Sequence, residues 1–216
     1  MNTLVKMALG KMGRLRSRPT PGPAASAVML PAPERNGGMP LMEALAARHS
    51  SREFAPRELP LPLLSALLWA GCGVNRPDGG RTAPSAMGAQ EIDVFVALPG
   101  GAYRYDAPGH RLDLVAPNDL RRVTGYQDFV DDAPMDLVYV ADHTRMHLIP
   151  VEKRTAYACT AAGAVAQNVY LFAAANGLAT VIRAWIDREA IADELGLTHD
   201  QEVLLSQTVG YPKEGA

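Results

Sequence analysis

The sequence predicts an α+β protein in which a mainly antiparallel central sheet is flanked by helices. Three short β-rich segments between residues 91 and 115 are separated by Pro-Gly turns, which is the pattern of an antiparallel meander. Segments with helical spacing of apolar residues lie before and after this meander. The 216 residues are 48% hydrophobic and 20% charged, a composition typical of a globular protein with its own core.

The chain divides into an N-terminal arm, residues 1–39, and a domain, residues 40–216, which contains the meander. The arm is basic and proline-rich, because five cations precede the first acidic residue and residues 18–40 follow neither a helical nor a strand period. Prolines also interrupt the apolar stretch that a secretory leader would need. We therefore expect an extended arm on a cytoplasmic protein.

Two helices are predicted between the arm and the meander. The first begins at Pro40, a residue type that favours the start of a helix, and ends near Arg48. The second has leucines at helical spacing over residues 59–68, and Gly71 and Gly73 supply its end.

The remaining strands and short helices follow from β-forming runs and from capping residues. Asn118 is predicted to cap a short helix that ends at Gly125, and Asp187 to cap a helix that Gly196 ends. The predicted strands are residues 91–98, 103–105, 111–115, 135–141 and 203–209.

The longest apolar segment is residues 155–182, which contain 28 residues without a charge. That length could span a membrane, but Gln and Asn side chains lie inside the segment and Asn176-Gly177 ends a helix within it. We predict a central core helix, buried on most sides. In a chain of this size, such burial is easier if a second subunit covers part of the helix, so we expect a homodimer and no membrane.

Several classes of function are excluded by composition and by missing motifs. A net charge of −2 and a pI near 6.2 disfavour nucleic acid as a partner. Cys72 and Cys159 lack metal-binding spacing, and His143 and His147 lack a third ligand, so no metal is expected. The motifs of serine hydrolases, Rossmann dehydrogenases and P-loop NTPases are absent from the sequence.

Two segments carry chemistry that a ligand could use. Arg48-His49-Ser50-Ser51-Arg52 follows the first helix of the domain, and its two guanidinium groups could hold a phosphate dianion. The alternative is a solvated basic helix end. The loop of residues 81–90 consists largely of small residues that let the backbone approach a planar ligand, although it could equally be an ordinary connection.

Taken in order, five segments resemble those of nitroreductase-like FMN-dependent oxidoreductases: RHSSREF, WAGCGVNR, RTAPSAMGAQEIDVFVAL, AAGAVAQNVYLFAAANGLATVIRAW and QTVGYP. The third and fourth are most similar to the branch of peptide thiazoline and oxazoline oxidases. The resemblance covers residues 41–212. It implies a nitroreductase-like α+β fold, an intertwined homodimer and two FMN sites where the subunits meet.

The resemblance also implies which residues contact FMN, although it identifies no catalytic residue. The phosphate, the ribityl chain and the pyrimidine edge would be held by Arg48, His49, Ser50 and Arg52. The isoalloxazine would be bordered by Pro84, Ser85 and Ala86 of the partner's small-residue loop, and Gln127 would reach the ribityl chain or the ring. The reactive edge would lie nearest Ile182, Arg183 and Ala184, where a backbone N–H is offered to N5, and Lys213 would add a phosphate contact.

Two positions depart from the pattern of the resembling proteins. Gly88 stands where many members have Asn, and Lys153-Arg154 with Tyr157 stands where azoline oxidases carry a Lys-Tyr pair. The expected function is hydride transfer through flavin N5 from NAD(P)H to a small electrophile, such as a nitro compound or a quinone, by a ping-pong mechanism. The alternatives are oxidation of a peptide or small molecule, as in azoline oxidases, and a flavin-binding dimer without turnover.

Overall fold

The structure is a computed structural model, and it describes residues 1–36 and 38–215. The described residues form five α-helices and nine β-strands, connected by turns and short 3₁₀ helices. The helices are α1 (Thr3–Lys11), α2 (Leu41–Ala47), α3 (Leu61–Cys72), α4 (Val151–Ala175) and α5 (Arg188–Leu195). The strands are β1 (Arg18–Pro19), β2 (Ala27–Met29), β3 (Ile92–Leu98), β4 (Gly101–Asp106), β5 (Arg111–Ala116), β6 (Asn118–Asp119), β7 (Met135–Asp142), β8 (Ala179–Arg183) and β9 (Gln201–Gly210).

Seven of the strands form one sheet in the order β2-β5-β4-β3-β7-β9-β8, and every neighbouring pair is antiparallel. Strands β3, β4 and β5 are the predicted meander, which is confirmed. Strands β1 and β6 pair separately. Strand β8 lies at one edge of the large sheet, so one side of its backbone is free to bond with other segments.

Helices cover both faces of the sheet, because alternate residues of each strand point to opposite sides. In β7, Leu137 packs in the cluster that contains Leu67 of α3 and Val165 of α4. Its neighbour Val138 packs in the second cluster, with Ile191 of α5. The predicted α+β class and its mainly antiparallel sheet are confirmed.

Capping residues place several boundaries where the sequence predicts them. The Asp187 side chain accepts a hydrogen bond from the Ala190 N–H at 3.1 Å, and Gly196 ends α5 with φ of +62°. The prediction for Asn118 is wrong: this residue lies in β6, and the 3₁₀ helix that follows begins after Leu120. The cause is strand pairing with β1, which uses the backbone of Asn118.

The N-terminal segment packs on its own chain. Leu15 is 1% exposed and belongs to the cluster under α5. The N–H and hydroxyl of Ser17 both donate to the Glu194 carboxylate at 2.9 Å, and Arg18 pairs with Asp119 at 3.0 Å. The first eleven residues include a helix, α1, that the sequence analysis did not anticipate.

Helix α4 is long and apolar enough to span a membrane, but it is a core helix of the fold. Its buried residues recur every three or four positions and pack on the sheet. Within this single chain the opposite face, which includes Cys159 and Thr160, is exposed. Burial therefore reaches one side of α4 rather than most sides, and the exposed side carries no charge from residue 155 onward.

Candidate functional site

The segment that follows α2 runs along the free edge of β8. The Ser51 N–H donates to the Thr180 carbonyl at 3.0 Å, which fixes the segment beside this strand. The same segment is tied to the end of the chain, since the Lys213 N–H donates to the Glu53 carbonyl at 3.2 Å and Phe54 pairs with Pro212. Residues distant in sequence are thus brought together at the sheet edge.

Tyr170 of α4 connects three of the predicted site residues. Its hydroxyl lies 2.8 Å from the Ser50 hydroxyl and accepts the Ile182 N–H at 3.0 Å. The Arg48 guanidinium lies 5.3 Å from the centre of its ring, within cation–π range. Tyr170 is not among the predicted site residues. The signal in the sequence was a tyrosine in a charge-free helix, because a buried tyrosine hydroxyl needs a polar partner.

Three cations lie on the segments that meet at this edge, Arg48 and Arg52 after α2 and Lys213 after β9, where Lys213 lines a cleft that Asp131 and Asp132 also line. Arg52 and Lys213 are exposed and Arg48 is half-buried. Within residues 1–36 and 38–215, none of the three has a carboxylate oxygen within 4 Å, whereas Arg18, Arg111, Arg121, Arg145 and Arg183 all form ion pairs. Unpaired guanidinium and ammonium groups on one edge are the donor set that a phosphate dianion requires. The His49 Nδ1, in contrast, lies 2.9 Å from the Ala47 carbonyl.

At the end of β8, the three predicted site residues Ile182, Arg183 and Ala184 differ in which hydrogen-bond donors are free for a ligand. The Ile182 N–H is already donated to Tyr170. The Arg183 guanidinium points inward, where it bonds Asp136 at 2.6 Å and the Thr124 carbonyl at 2.8 Å. Burial lowers the pKa of Arg183, and Asp136 opposes this shift. The side chain of Arg183 is therefore structural, and Ala184, whose side chain is a methyl group, could offer a ligand only its backbone.

Gln127 lies in a segment attached to the same strand. The Thr124 carbonyl at the start of this segment accepts from Arg183 and from the Ser206 hydroxyl, the latter at 2.7 Å. The side-chain oxygen of Gln127 is buried, and the described residues donate no hydrogen bond to it. It lies beside Gly125, on the side where the Arg183 guanidinium also lies. This oxygen therefore has acceptor capacity that the described residues leave unused.

The small-residue loop forms a separate cleft. Pro84, Ser85 and Ala86 line a space of about 420 Å³ together with Tyr157 and Ala164 of α4. The Ser85 hydroxyl is used internally, because it donates to the Glu91 carboxylate at 2.6 Å and accepts the Gln90 N–H at 2.7 Å. The backbone at Met87 and Gly88 is left-handed, with φ of +55° and +67°, which turns the loop sharply. The cleft wall is thus mostly apolar, which suits a planar ring.

The cleft and the β8 edge lie at different positions along α4. Of the cleft residues, Tyr157 and Ala164 precede Tyr170 by 13 and 6 residues. At 1.5 Å per residue, these distances along the helix are about 20 Å and about 9 Å. The Tyr157 end of the cleft is therefore remote from the β8 edge of the same chain.

The histidines, the buried cysteine and the tryptophans considered in the sequence analysis are not part of the candidate site. His143 pairs with Glu202 at 2.8 Å, and the part of the chain that the structure describes contains no group of three His, Cys, Asp or Glu able to hold a metal. Burial raises the pKa of Cys72 to about 12, so this thiol is not a nucleophile at neutral pH. Trp69 donates to the Val74 carbonyl, whereas Trp185 is 47% exposed and packs on Tyr126.

Comparison with known proteins identifies relatives along most of the chain. The family model described as the nitroreductase family matches residues 45–211. A nitroreductase-family protein of Methanocaldococcus jannaschii is 32% identical over 160 residues, which are 69% of this chain and 81% of that protein. A solved nitroreductase-family structure from Ralstonia eutropha JMP134 is 50% identical, covers 93% of this chain and 96% of its own, and superimposes with a TM-score of 0.89.

A more distant likeness concerns the fold alone. A chain of the microcin synthetase complex of Escherichia coli, solved with a truncated precursor peptide, is 17% identical to this chain. The match covers 98% of this chain and 93% of that chain, with a TM-score of 0.68.

Proposed function

This chain belongs to the nitroreductase family of oxidoreductases, and from that premise we propose that it is an FMN-dependent enzyme that passes hydride from NAD(P)H to a small electrophilic acceptor. Homologues in the family use FMN and NAD(P)H. Nitro compounds and quinones are the acceptor class that we propose. The two half-reactions would follow each other at one flavin face, with the first product leaving before the acceptor binds, in a ping-pong mechanism.

The observation that carries this proposal is the arrangement around Tyr170. Its hydroxyl holds Ser50 and the Ile182 backbone within 3.0 Å, so the basic segment and the edge strand keep a fixed distance. On this frame, Arg48, Arg52 and Lys213 would bind the phosphate, since all three are free of carboxylate partners in the described chain. The exposed His49 and Ser50 lie next to them and would bind the ribityl chain and the pyrimidine edge.

The other predicted contacts would orient the ring. When bound, the flavin supplies the hydride chemistry through N5. Ile182, Arg183 and Ala184 would border its reactive edge, and since the Ile182 N–H is used by Tyr170, the backbone N–H that faces N5 would be that of Ala184. The buried oxygen of Gln127 would accept a hydrogen bond from the ribityl chain or from the ring.

We propose that two copies of the chain form an intertwined homodimer and that the partner supplies Pro84, Ser85 and Ala86 to each site. The distance of about 20 Å along α4 between Tyr157 in the cleft and Tyr170 at the β8 edge supports this arrangement. So does the exposed, uncharged face of α4, together with the exposed apolar side chains of Leu41 and Met42 on α2, which are 63% and 74% exposed. A soluble enzyme that uses NAD(P)H in this way would work in the cytoplasm, where we place it.

A second candidate is oxidation of a peptide or small molecule by the bound flavin. The likeness in fold to a chain of the microcin synthetase complex, which was solved with truncated pro-MccB17 bound, favours it. The structure places Lys153 and Tyr157 one helical turn apart on α4, both exposed and on one face, instead of as adjacent residues. We rank this candidate second because the Lys-Tyr pair of azoline oxidases is replaced.

The test is an anaerobic flavin titration of the purified protein. The protein is saturated with FMN, freed of excess flavin, and its visible flavin band is followed while NADH or NADPH is added without oxygen. Bleaching by either nucleotide, and recovery of the band on adding a quinone, is the expected result. A protein that takes up no FMN would refute the proposal. A flavin that both nucleotides leave oxidised but a peptide substrate reduces would establish the second candidate.

A further inference from the structure

Lys6 of α1 is a fully buried ammonium group that donates two hydrogen bonds and forms one ion pair. The side chain is 0% exposed. Its Nζ lies 2.5 Å from an Asp131 carboxylate oxygen, 3.0 Å from the Gln127 carbonyl and 3.1 Å from the Gly125 carbonyl. A lysine ammonium has three N–H donors, and here three acceptors surround it.

All three acceptors belong to one short segment, residues 125–131. Lys6 therefore holds this segment at its beginning, its middle and its end. The residue that precedes the segment is held as well, since Arg183 of β8 and Ser206 of β9 donate to the Thr124 carbonyl. The backbone that carries Gln127 is thus fixed between the edge of the sheet and the N-terminal helix.

The close seating of α1 on this segment depends on a glycine. A Cβ at Gly10 would lie 2.7 Å from a ring carbon of Tyr126 and 2.6 Å from the Asp187 carboxylate. A larger residue would therefore push the helix away from the segment. The family match begins at residue 45, so α1 lies outside the part of the chain that carries the family resemblance.

We propose that α1 is a functional part of the flavin site and that Lys6 is a positioning residue, which holds the backbone of residues 125–131 so that the Gln127 amide faces the bound flavin. This inference rests on the proposed function, in which Gln127 contacts the ribityl chain or the ring. Gln127 makes the contact, and Lys6 acts through it. The N-terminal arm would then contribute to cofactor affinity and not only to stability.

A purely structural role for Lys6 is the competing explanation, and it predicts a different result. In that case Lys6 serves to neutralise Asp131, which is 4% exposed. Burial would raise the pKa of Asp131, but the hydrogen bonds from Lys6 and from the N-terminal ammonium lower it below its ordinary value. Removing both charges together keeps the net charge of this cluster, to which the N-terminal ammonium and Arg122 also belong, and would then leave flavin binding unchanged.

The experiment measures dissociation constants for FMN and for riboflavin, which lacks the phosphate, by quenching of flavin fluorescence. The variants are Lys6→Met, the charge-neutral double variant Lys6→Met with Asp131→Asn, and Lys11→Met as a matched control on the exposed side of α1. We expect both Lys6 variants to bind FMN and riboflavin about fivefold more weakly, which corresponds to one lost hydrogen bond. The ratio of the two affinities would stay that of the wild type, since the phosphate contacts are untouched.

Several outcomes would overturn the inference. Wild-type affinity in the double variant would assign Lys6 to charge balance alone. A fall in FMN affinity without a fall in riboflavin affinity would place the effect at the phosphate and not at Gln127. If Lys6→Met fails to fold, the double variant decides, and Gly10→Val offers a second route because it displaces α1 without altering a charge. Because the wild type is titrated first, failure to bind FMN refutes the proposed function separately.

Discussion

Replacing Arg48 and Arg52 together by alanine tests the assignment of the phosphate site most directly. In the free protein these side chains contribute little. The contact of Arg48 with the Tyr170 ring is worth about 0.5–1 kcal/mol at a partly exposed site. Arg52 is exposed, and a surface substitution of this kind changes stability by no more than about 0.5 kcal/mol. The double variant should therefore fold.

The expected effect on the cofactor is much larger. A hydrogen bond to a charged group contributes about 1.5–3 kcal/mol, so two guanidinium contacts to a phosphate would contribute about 3–6 kcal/mol. Each 1.4 kcal/mol is a factor of ten, and the FMN dissociation constant should rise by about 10² to 10⁴. The affinity for riboflavin should stay within about twofold of the wild type, because riboflavin has no phosphate to lose.

The assay compares flavin absorbance of the purified proteins and fluorescence titrations with FMN and riboflavin. Arg104→Ala is the matched control, since Arg104 is an exposed arginine on β4, in the interior of the sheet order and remote from β8. Circular dichroism and the unfolding temperature establish that each variant is folded. Wild-type FMN occupancy in the double variant, or an equal loss of both flavins, would refute the phosphate assignment.

Three further predictions concern Tyr170, His110 and the exposed face of α2. Tyr170→Phe removes the acceptor of the Ile182 N–H and should lower stability by about 1–3 kcal/mol and weaken FMN binding, whereas the exposed Tyr157→Phe should leave the unfolding temperature unchanged. Burial lowers the pKa of His110, whose ring hydrogen-bonds Ser65 at 2.7 Å, so the unfolded chain takes up a proton on this residue more readily than the folded chain. The unfolding temperature should therefore fall as the pH drops below about 6.5, and this dependence on pH should be weaker in His110→Gln but unchanged in the control His199→Gln, where the histidine is exposed. Met42→Glu places a charge on the proposed dimer surface, and sedimentation should show a monomer that has also lost FMN; a dimer with full occupancy would contradict the assignment of this face.

Local signals in the sequence predicted most of the secondary structure. Capping by Asp187 and Gly196 marked the ends of α5, and the Pro-Gly turns separated the strands of the meander. These signals act over a few residues, through backbone hydrogen bonds and allowed dihedral angles, so they can be recognised from residues that are close in the sequence. The same locality explains the error at Asn118, where pairing with β1, about a hundred residues earlier, prevailed over its preference for a helix cap.

The candidate site was predictable only in part. The residue types that suit a phosphate were visible in Arg48 and Arg52, but their lack of acidic partners is a property of the folded chain. The inward direction of Arg183 could not be foreseen, because it depends on Asp136, a residue 47 positions away on β7. Tyr170 was missed because a tyrosine in a charge-free helix indicates that its hydroxyl needs a polar partner, but the sequence does not show which residues supply it.

The amino-acid sequence by itself determined the fold class, the order of most elements and the family, because hydrophobic periodicity and capping depend on residues that are close together in the sequence. Only the tertiary structure decided which polar groups meet. It joined Ser50 and Ile182 through Tyr170, and it seated Lys6 among three acceptors of a segment more than a hundred residues away. The physical reason is that a buried donor must find an acceptor wherever the chain brings one, and sequence distance does not enter that requirement.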